Sequence, residues 1–261
     1  MNMKASIGIA CTFILIVGWV AFCGYRWSWG PFAGLYDLKT GKLPGNAPQY
    51  GVDTISVSEE SPLRGKTVLF LGSSVTYGAA SKGISFADYL AGRSGCVMIK
   101  EAVSGTTLVD NGPHSYLRRL RKWDASTPVD LFVCQLSTND ASQNQPLGAV
   151  STDGIYDTTT VAGAIESIIS YAKEVWNCPV VFYTNPRYDS EDYSAMVALL
   201  AEIAEKRNIT VIDLWNDADF NEIRDEQRTL YMADAIHPTQ AGYREWWTPY
   251  MENVLIEVLD K

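Results

Sequence analysis

The chain has 261 residues and a net charge of −9, with 47% hydrophobic and 20% charged residues, an ordinary globular composition with room for one domain and a large core. The first 26 residues contain Lys4 and Arg26 and no acid, so the 19 basic and 30 acidic residues beyond them leave a net −11. A surface that acidic repels nucleic acid, and no basic run offsets it, so nucleic-acid binding is excluded as a function.

Ala5 to Tyr25 is a run of 21 residues without a charge. As a helix it measures about 30 Å, the thickness of a bilayer core. Lys4 precedes it, and Trp19, Tyr25, Trp27 and Trp29 fit an aromatic belt at the far interface. Residues 1–26 are therefore read as an N-terminal transmembrane signal anchor, with a cleaved signal peptide as the alternative. The run is longer than a typical signal core, and no small-x-small site follows it. In Val20-Ala21-Phe22-Cys23, Phe22 is bulky where a lipobox needs a small residue. The expected location is membrane-anchored with the following domain outside the cytoplasm, or secreted if the segment is removed.

Residues 27–64 are rich in Gly, Pro and Ser and read as a stalk or irregular lead-in. Residues 65–261 read as one domain. Strands are expected at 67–71, 97–100, 131–136, 180–184 and 210–214, and helices at 84–93, 114–123, 159–176, 191–206 and 239–259. The helix at 159–176 has apolar spacing at Val161, Ile165, Ile168, Ile169 and Ala172. Strands alternating with helices imply a parallel sheet covered on both faces, with functional residues at the carboxyl ends of the strands. Cys11 and Cys23 lie in the apolar segment; Cys96, Cys134 and Cys178 remain, an odd number partly inside strand-like runs, so no disulfide framework is expected.

The chemistry concentrates in two stretches. Leu71-Gly72-Ser73-Ser74-Val75-Thr76-Tyr77-Gly78 puts Ser74 on a glycine-flanked turn after the first strand, and Asp234-Ala235-Ile236-His237 puts a carboxylate three residues before a histidine. A serine hydroxyl needs a base. The chain has only two histidines, and His114 reads as a surface residue at a helix start, so His237 is the base by elimination. Asp234 can fix its tautomer. Pro238 reads as the start of a helix, which leaves Asp234 and His237 on a loop. Donors for a developing oxyanion are the Ser74 N–H, Gly105 in Ser104-Gly105-Thr106, and Asn139 in Ser137-Thr138-Asn139-Asp140, with Asp140 bracing its loop.

Arg118, Arg119, Arg121 and Lys122 read as a solvated helix face, and Trp246 and Trp247 as core or rim. Tyr183, Asn185, Arg187, Gln143 and Gln145 follow strands and are candidates for pocket walls. Asp217-Ala218-Asp219 has no His or Cys to complete a metal site.

Gly72-Ser73-Ser74, Gly105, Ser137-Thr138-Asn139-Asp140 and Asp234-x-x-His237, in that order over roughly residues 65–255, resemble the four blocks of the SGNH (GDSL-type) hydrolases. The resemblance implies a flavodoxin-like three-layer α/β/α fold with a five-stranded parallel sheet, Ser74, His237 and Asp234 as catalytic residues, an oxyanion hole of Ser74, Gly105 and Asn139, and neither metal nor organic cofactor. It departs twice: Ser73 stands where the family has Asp, and Ser137 where it has Gly. The first is expected to shift pocket polarity and pH dependence, the second to narrow the pocket toward small acyl groups. The expected function is an esterase or deacylase acting on a small-molecule or glycan ester, O-acetyl among them. An O-acyltransferase using the same site and a noncatalytic cell-surface binding protein are the alternatives.

Overall fold

The computed structural model describes residues 3–27, 30–32 and 34–260, with side chains described from Thr12 onward except at 26, 27 and 30. Five strands form one parallel sheet: β1 Thr67–Gly72, β2 Val97–Ala102, β3 Leu131–Gln135, β4 Val180–Tyr183 and β5 Thr210–Ile212. Their order is β2-β1-β3-β4-β5. The central strands β1, β3 and β4 are apolar runs because both faces are covered, while the edge strands β2 and β5 are half-buried. Side chains alternate between two cores. Val68, Phe70, Leu131, Val133 and Val181 face one, and Leu69, Leu71, Phe132, Cys134 and Phe182 the other.

The helices, in chain order, are α1 Met3–Trp27, α2 Gly34–Thr40, α3 Ser74–Tyr77, α4 Phe86–Ser94, α5 Tyr116–Leu120, α6 Thr138–Ser142, α7 Val161–Trp176, α8 Glu191–Arg207, α9 Ala218–Asn221, α10 Asp225–Tyr231 and α11 Thr248–Leu259. Helices α5, α7 and α8 pack on one face of the sheet, α4 and α11 on the other. On the second face Phe70, Phe86, Tyr183, Tyr243 and Trp247 form an aromatic cluster, with Phe86 stacked on Trp247 at 6.0 Å and edge-on to Tyr183 at 5.1 Å. Each such pair stabilises by about 0.5–1.5 kcal/mol beyond its buried area. The three-layer α/β/α architecture matches the expectation.

Local chemistry sets the helix ends. The Asp88 carboxylate accepts from the Ser85 N–H at the start of α4, and Gly95 ends it at φ 73°. Thr160 and Ser190 cap α7 and α8, which end at Asn177 and Asn208 in the left-handed region. The five expected strands fall on β1 to β5, and four expected helices on α4, α5, α7 and α8. The fifth, 239–259, is interrupted: a π-helical turn, Gly242–Trp247, precedes α11. Pro249 has no N–H to give the preceding turn, which widens there.

The expected N-terminal transmembrane helix is not supported among the described residues. Residues 5–25 are helical within α1, but among the described residues no helix is long and apolar enough to cross a membrane. The end of α1 packs on the chain itself. Cys23 is buried, and a β-carbon on Gly24 would overlap Phe32. Trp29 lies outside the described residues, as do the side chains of Lys4, Cys11, Arg26 and Trp27. Cys23, Cys96, Cys134 and Cys178 are unpaired and buried. The segment read as a stalk or lead-in lies against the domain, with Asn46 buried and Tyr89 donating its hydroxyl to the Tyr50 carbonyl.

Candidate active site

Strands β2 and β3 flank β1 on opposite sides, so connections leave β1 in opposite directions, and a crevice forms at the carboxyl ends of the strands. Ser74 opens α3 directly after β1, where its N–H has no acceptor within the helix. Only glycine fits at 72, because a β-carbon there would overlap the Thr76 hydroxyl. The turn is held from β3. Gln135 Oε1 accepts from Ser73 N at 2.9 Å, Thr76 N at 3.3 Å, Thr76 Oγ1 at 2.8 Å and Ser73 Oγ at 3.4 Å. Gln135 is fully buried, and its Nε2 has no partner among the described residues.

His237 comes from the far end of the chain. Its Nε2 lies 2.8 Å from Ser74 Oγ, and its Nδ1 lies 2.9 Å from Asp234 Oδ2 and 3.0 Å from Oδ1. Asp234 Oδ1 also accepts from the Ile236 and His237 N–H groups, each at 2.8 Å. Burial opposes the charge of Asp234, yet the hydrogen bond and charge of His237 and these two N–H groups hold its carboxyl well below the usual carboxylate range. An ionised Asp234 requires a donor from Nδ1, which leaves Nε2 to accept from the Ser74 hydroxyl. The loop is tied by Asn185, whose Nδ2 donates to the Ile236 carbonyl at 3.0 Å.

Two further candidate donors come from the segments after β2 and β3. Gly105 sits at φ 79°, in the left-handed region that favours glycine. Asn139 Nδ2 donates one hydrogen to the Thr106 carbonyl at 2.9 Å, which leaves its second hydrogen for another acceptor. Asp140 is fully buried and accepts from Leu108 N at 2.8 Å and Val109 N at 3.1 Å, so it braces the loop after Gly105 rather than its own. Burial pushes its carboxyl up to about 6, against the pull of those N–H groups and Ser137.

Arg119 corrects an expectation. It is not on a solvated face but buried beneath the turn, donating to Gly72 O at 2.7 Å, Glu101 O at 2.9 Å, Thr106 Oγ1 at 3.2 Å and His114 O at 3.0 Å. One helix turn of five residues carries arginines that face both ways, which a charge run alone does not reveal. Tyr183 is also interior, bonded to Thr76 Oγ1 at 2.6 Å, and Asn185 is buried under the loop rather than lining an open wall. Trp247 is core. His114 is exposed and lines a cleft of about 170 Å³ with Gly105, Asn111 and Gln143, apart from Asp234 and His237. Arg187 lines a larger, open cleft of about 530 Å³ that begins at Asp234 and Ala235. Gln145 borders a separate cleft with Asn144 and Met196. Asp217 caps α9 and accepts from Tyr250.

Residues 70–245 match the model of the GDSL-like lipase/acylhydrolase family. The chain belongs to this family. It is an SGNH-type ester hydrolase. No curated protein matches it. Among solved structures, a protein from Lactobacillus plantarum is 21% identical, covering 76% of this chain and 97% of its own, with a TM-score of 0.62. An acetyl xylan esterase is 17% identical, covering 72% and 99%, with a TM-score of 0.54. A family two carbohydrate esterase from Clostridium thermocellum, in complex with cellohexaose, is 16% identical, covering 77% and 67%, with a TM-score of 0.52. These three share the fold.

Both departures of this hydrolase from the family blocks have a place in the structure. Ser73 is fully buried and its N–H and hydroxyl share Gln135 Oε1, an oxygen that would repel an aspartate. Ser137 is fully buried too, accepting from Asn139 N at 3.1 Å and donating to Thr106 O at 3.2 Å. Its side chain is turned into the loop, so its placement gives no support to the expected narrowing of the pocket.

Proposed function

We propose that this ester hydrolase is a serine esterase that removes small acyl groups, acetyl among them, from the hydroxyls of glycans, with Ser74 as nucleophile, His237 as base and Asp234 orienting His237. The observation that carries it is the hydrogen-bonded series Ser74 Oγ–His237 Nε2–His237 Nδ1–Asp234 at 2.8 and 2.9 Å. Ser74 Oγ attacks the ester carbonyl while Nε2 takes its proton. The carbonyl oxygen becomes an oxyanion, held by the N–H groups of Ser74 and Gly105 and the second Nδ2 hydrogen of Asn139. The tetrahedral adduct collapses, the alkoxide leaves with the proton from Nε2, and an acyl-Ser74 remains. Water attacks that ester, gives its proton to Nε2, and the acid departs as Ser74 regains it.

Two things support a glycan alcohol. The cleft beside Asp234 is open, and Arg187, Asp189, Asp225 and Arg228 place charged groups along it beside Tyr188, Met232 and Ala235. Two solved structures of this fold are carbohydrate esterases by name. The proposal includes an extracytoplasmic domain, with the N-terminal segment as export signal. It is supported by the uncharged run Ala5–Tyr25 and by the exposed Phe13, Ile14, Leu15, Ile16 and Trp19 of α1.

The test is hydrolysis of p-nitrophenyl acetate, butyrate and octanoate, and acetate release from acetylated xylan, by the wild type, Ser74→Ala and His237→Ala. Either substitution is expected to lower kcat/KM by about 10³-fold or more. Turnover that survives Ser74→Ala, or octanoate preferred over acetate, overturns the reading.

A further inference from the structure

The family match starts at residue 70, yet the lead-in before it reaches both halves of the site. Asn46, 1% exposed, donates through Nδ2 to Ala80 O at 2.7 Å and to Thr40 O at 2.8 Å. Its Oδ1 accepts from Gln240 N at 2.8 Å, and its carbonyl accepts from Lys82 Nζ at 2.7 Å. Ala80 closes the turn that Ser74 begins, and Gln240 follows His237 by one short step of chain. A single buried amide therefore joins the nucleophile segment to the base segment. Gln240 adds a direct link, Nε2 to Ser81 O at 3.3 Å. Gly45 lets this strand of chain sit tight against the base segment, since a β-carbon there would overlap Leu230 O and the Thr239 hydroxyl. Ten residues before Asn46, the buried Tyr36 of α2 donates its hydroxyl to Asp234 Oδ2 at 3.5 Å, on the carboxylate that holds His237.

We infer that residues 36–46 are a clamp built into the active site: Asn46 sets the spacing of Ser74 and His237, and Tyr36 is a positioning residue for Asp234. The inference rests on the esterase reading above. The Ser74–His237 bond spans a gap between a strand end and a loop, so its 2.8 Å length depends on whatever fixes the two segments to each other. A misplacement of about 1 Å at such a site costs about 10²-fold in rate. Of the three hydrogen bonds of the Asn46 amide, one anchors it to Thr40 O within the lead-in and the other two run to Ala80 O and Gln240 N, one on each segment.

The experiment measures kcat and KM for p-nitrophenyl acetate on the full chain, the labelling rate with a serine-directed fluorophosphonate, and the melting temperature, for the wild type, Tyr36→Phe and Asn46→Ala. Tyr36→Phe is expected to lower kcat about 3- to 10-fold, the worth of one weak hydrogen bond to a carboxylate, with KM and melting temperature unchanged. Asn46→Ala, assayed below its own melting transition, is expected to lower kcat and the labelling rate together by at least about tenfold with KM within about twofold. Wild-type kcat in both variants, or losses carried by KM, overturns the clamp. If Asn46→Ala does not fold, Tyr36→Phe decides alone. A wild type with neither turnover nor labelling overturns the esterase reading itself, so the two failures are distinguishable.

Discussion

Ser74 stands at the end of a fully buried central strand, whereas His237 stands on a partly exposed loop that belongs to no strand of the sheet. The Ser74 side, the nucleophile side of the proposed mechanism, is held by groups taken out of water: Gln135 under the turn, Arg119 beneath Gly72, Asp140 under the Gly105 loop. The base side is held by ties that arrive from elsewhere, Asn185 after β4 and Asn46 and Tyr36 from the lead-in. Two carboxylates show what this does. Asp140, buried among amides with no cation against it, is pushed up to about 6, while Asp234, paired with His237, is held far down. Burial without a counter-charge raises the cost of ionising Asp140; the partly exposed Asp234–His237 pair keeps its charge but needs outside support to stay in place.

The sharpest way to break that contrast is to remove a donor from the nucleophile side. Asn139→Ala deletes the Nδ2 that the proposed function assigns to the oxyanion and keeps the Asp140 brace. It is expected to lower kcat by about 10²- to 10³-fold with little change in KM, as loss of an oxyanion donor does elsewhere. Steady-state kinetics on p-nitrophenyl acetate checks it. A change below threefold would mean that Asn139 serves the loop through Thr106 O and nothing more.

The next effect is on stability. The folded protein keeps a proton on Asp140 up to about pH 6, while the unfolded chain releases it near the ordinary aspartate value of 3.8. The folded state therefore binds more protons across that window, and stability falls as pH rises from about 4 to 6. The difference is worth about 3 kcal/mol, order of magnitude, at 1.36 kcal/mol per unit. Asp140→Asn removes the titration. Denaturant melts of both proteins from pH 4 to 7 should show the wild type losing ground to the variant as pH rises; parallel curves would mean that Asp140 is not held as its burial requires.

The same division explains what could be read from the chain beforehand. The central strands were legible because burial on both faces makes them unbroken apolar runs, and Ser74 and His237 because glycine-flanked serine turns are distinctive and histidine is scarce here. The one- and two-turn helices α3, α6, α9 and α10 are too short to show a period. The supporting residues left no local mark either. Arg119 has the same composition around it as Arg118, yet one is buried on Gly72 and the other exposed on Asp110. Asn46 and Asn185 act on residues far away in the chain, and the only hint at Gln135 was a polar residue closing the apolar run Leu131-Phe132-Val133-Cys134. Long-range polar ties are set by the fold, and no spacing along the sequence encodes them.

Asn185 gives the smallest and most selective test, because its removal should leave stability nearly alone. Its Nδ2 holds the Ile236 carbonyl at 3.0 Å, but its Oδ1 is buried without a partner among the described residues. Asn185→Ala gives up a hydrogen bond worth about 0.5–1.5 kcal/mol and relieves an orphaned acceptor that costs about 1–3 kcal/mol. Its backbone N–H still donates to the Tyr193 hydroxyl, so the turn after β4 stays anchored. The two side-chain terms offset, and the melting temperature should stay within a few degrees of the wild type. Catalysis has no such compensation, because the lost bond is one of the few that fix the loop carrying His237. A fall in kcat of about 3- to 10-fold at unchanged melting temperature is the expected result. Unchanged kcat would show that the lead-in and the Met232–Pro238 bridge hold the loop without Asn185, and would move the weight of the base side onto Asn46 and Tyr36.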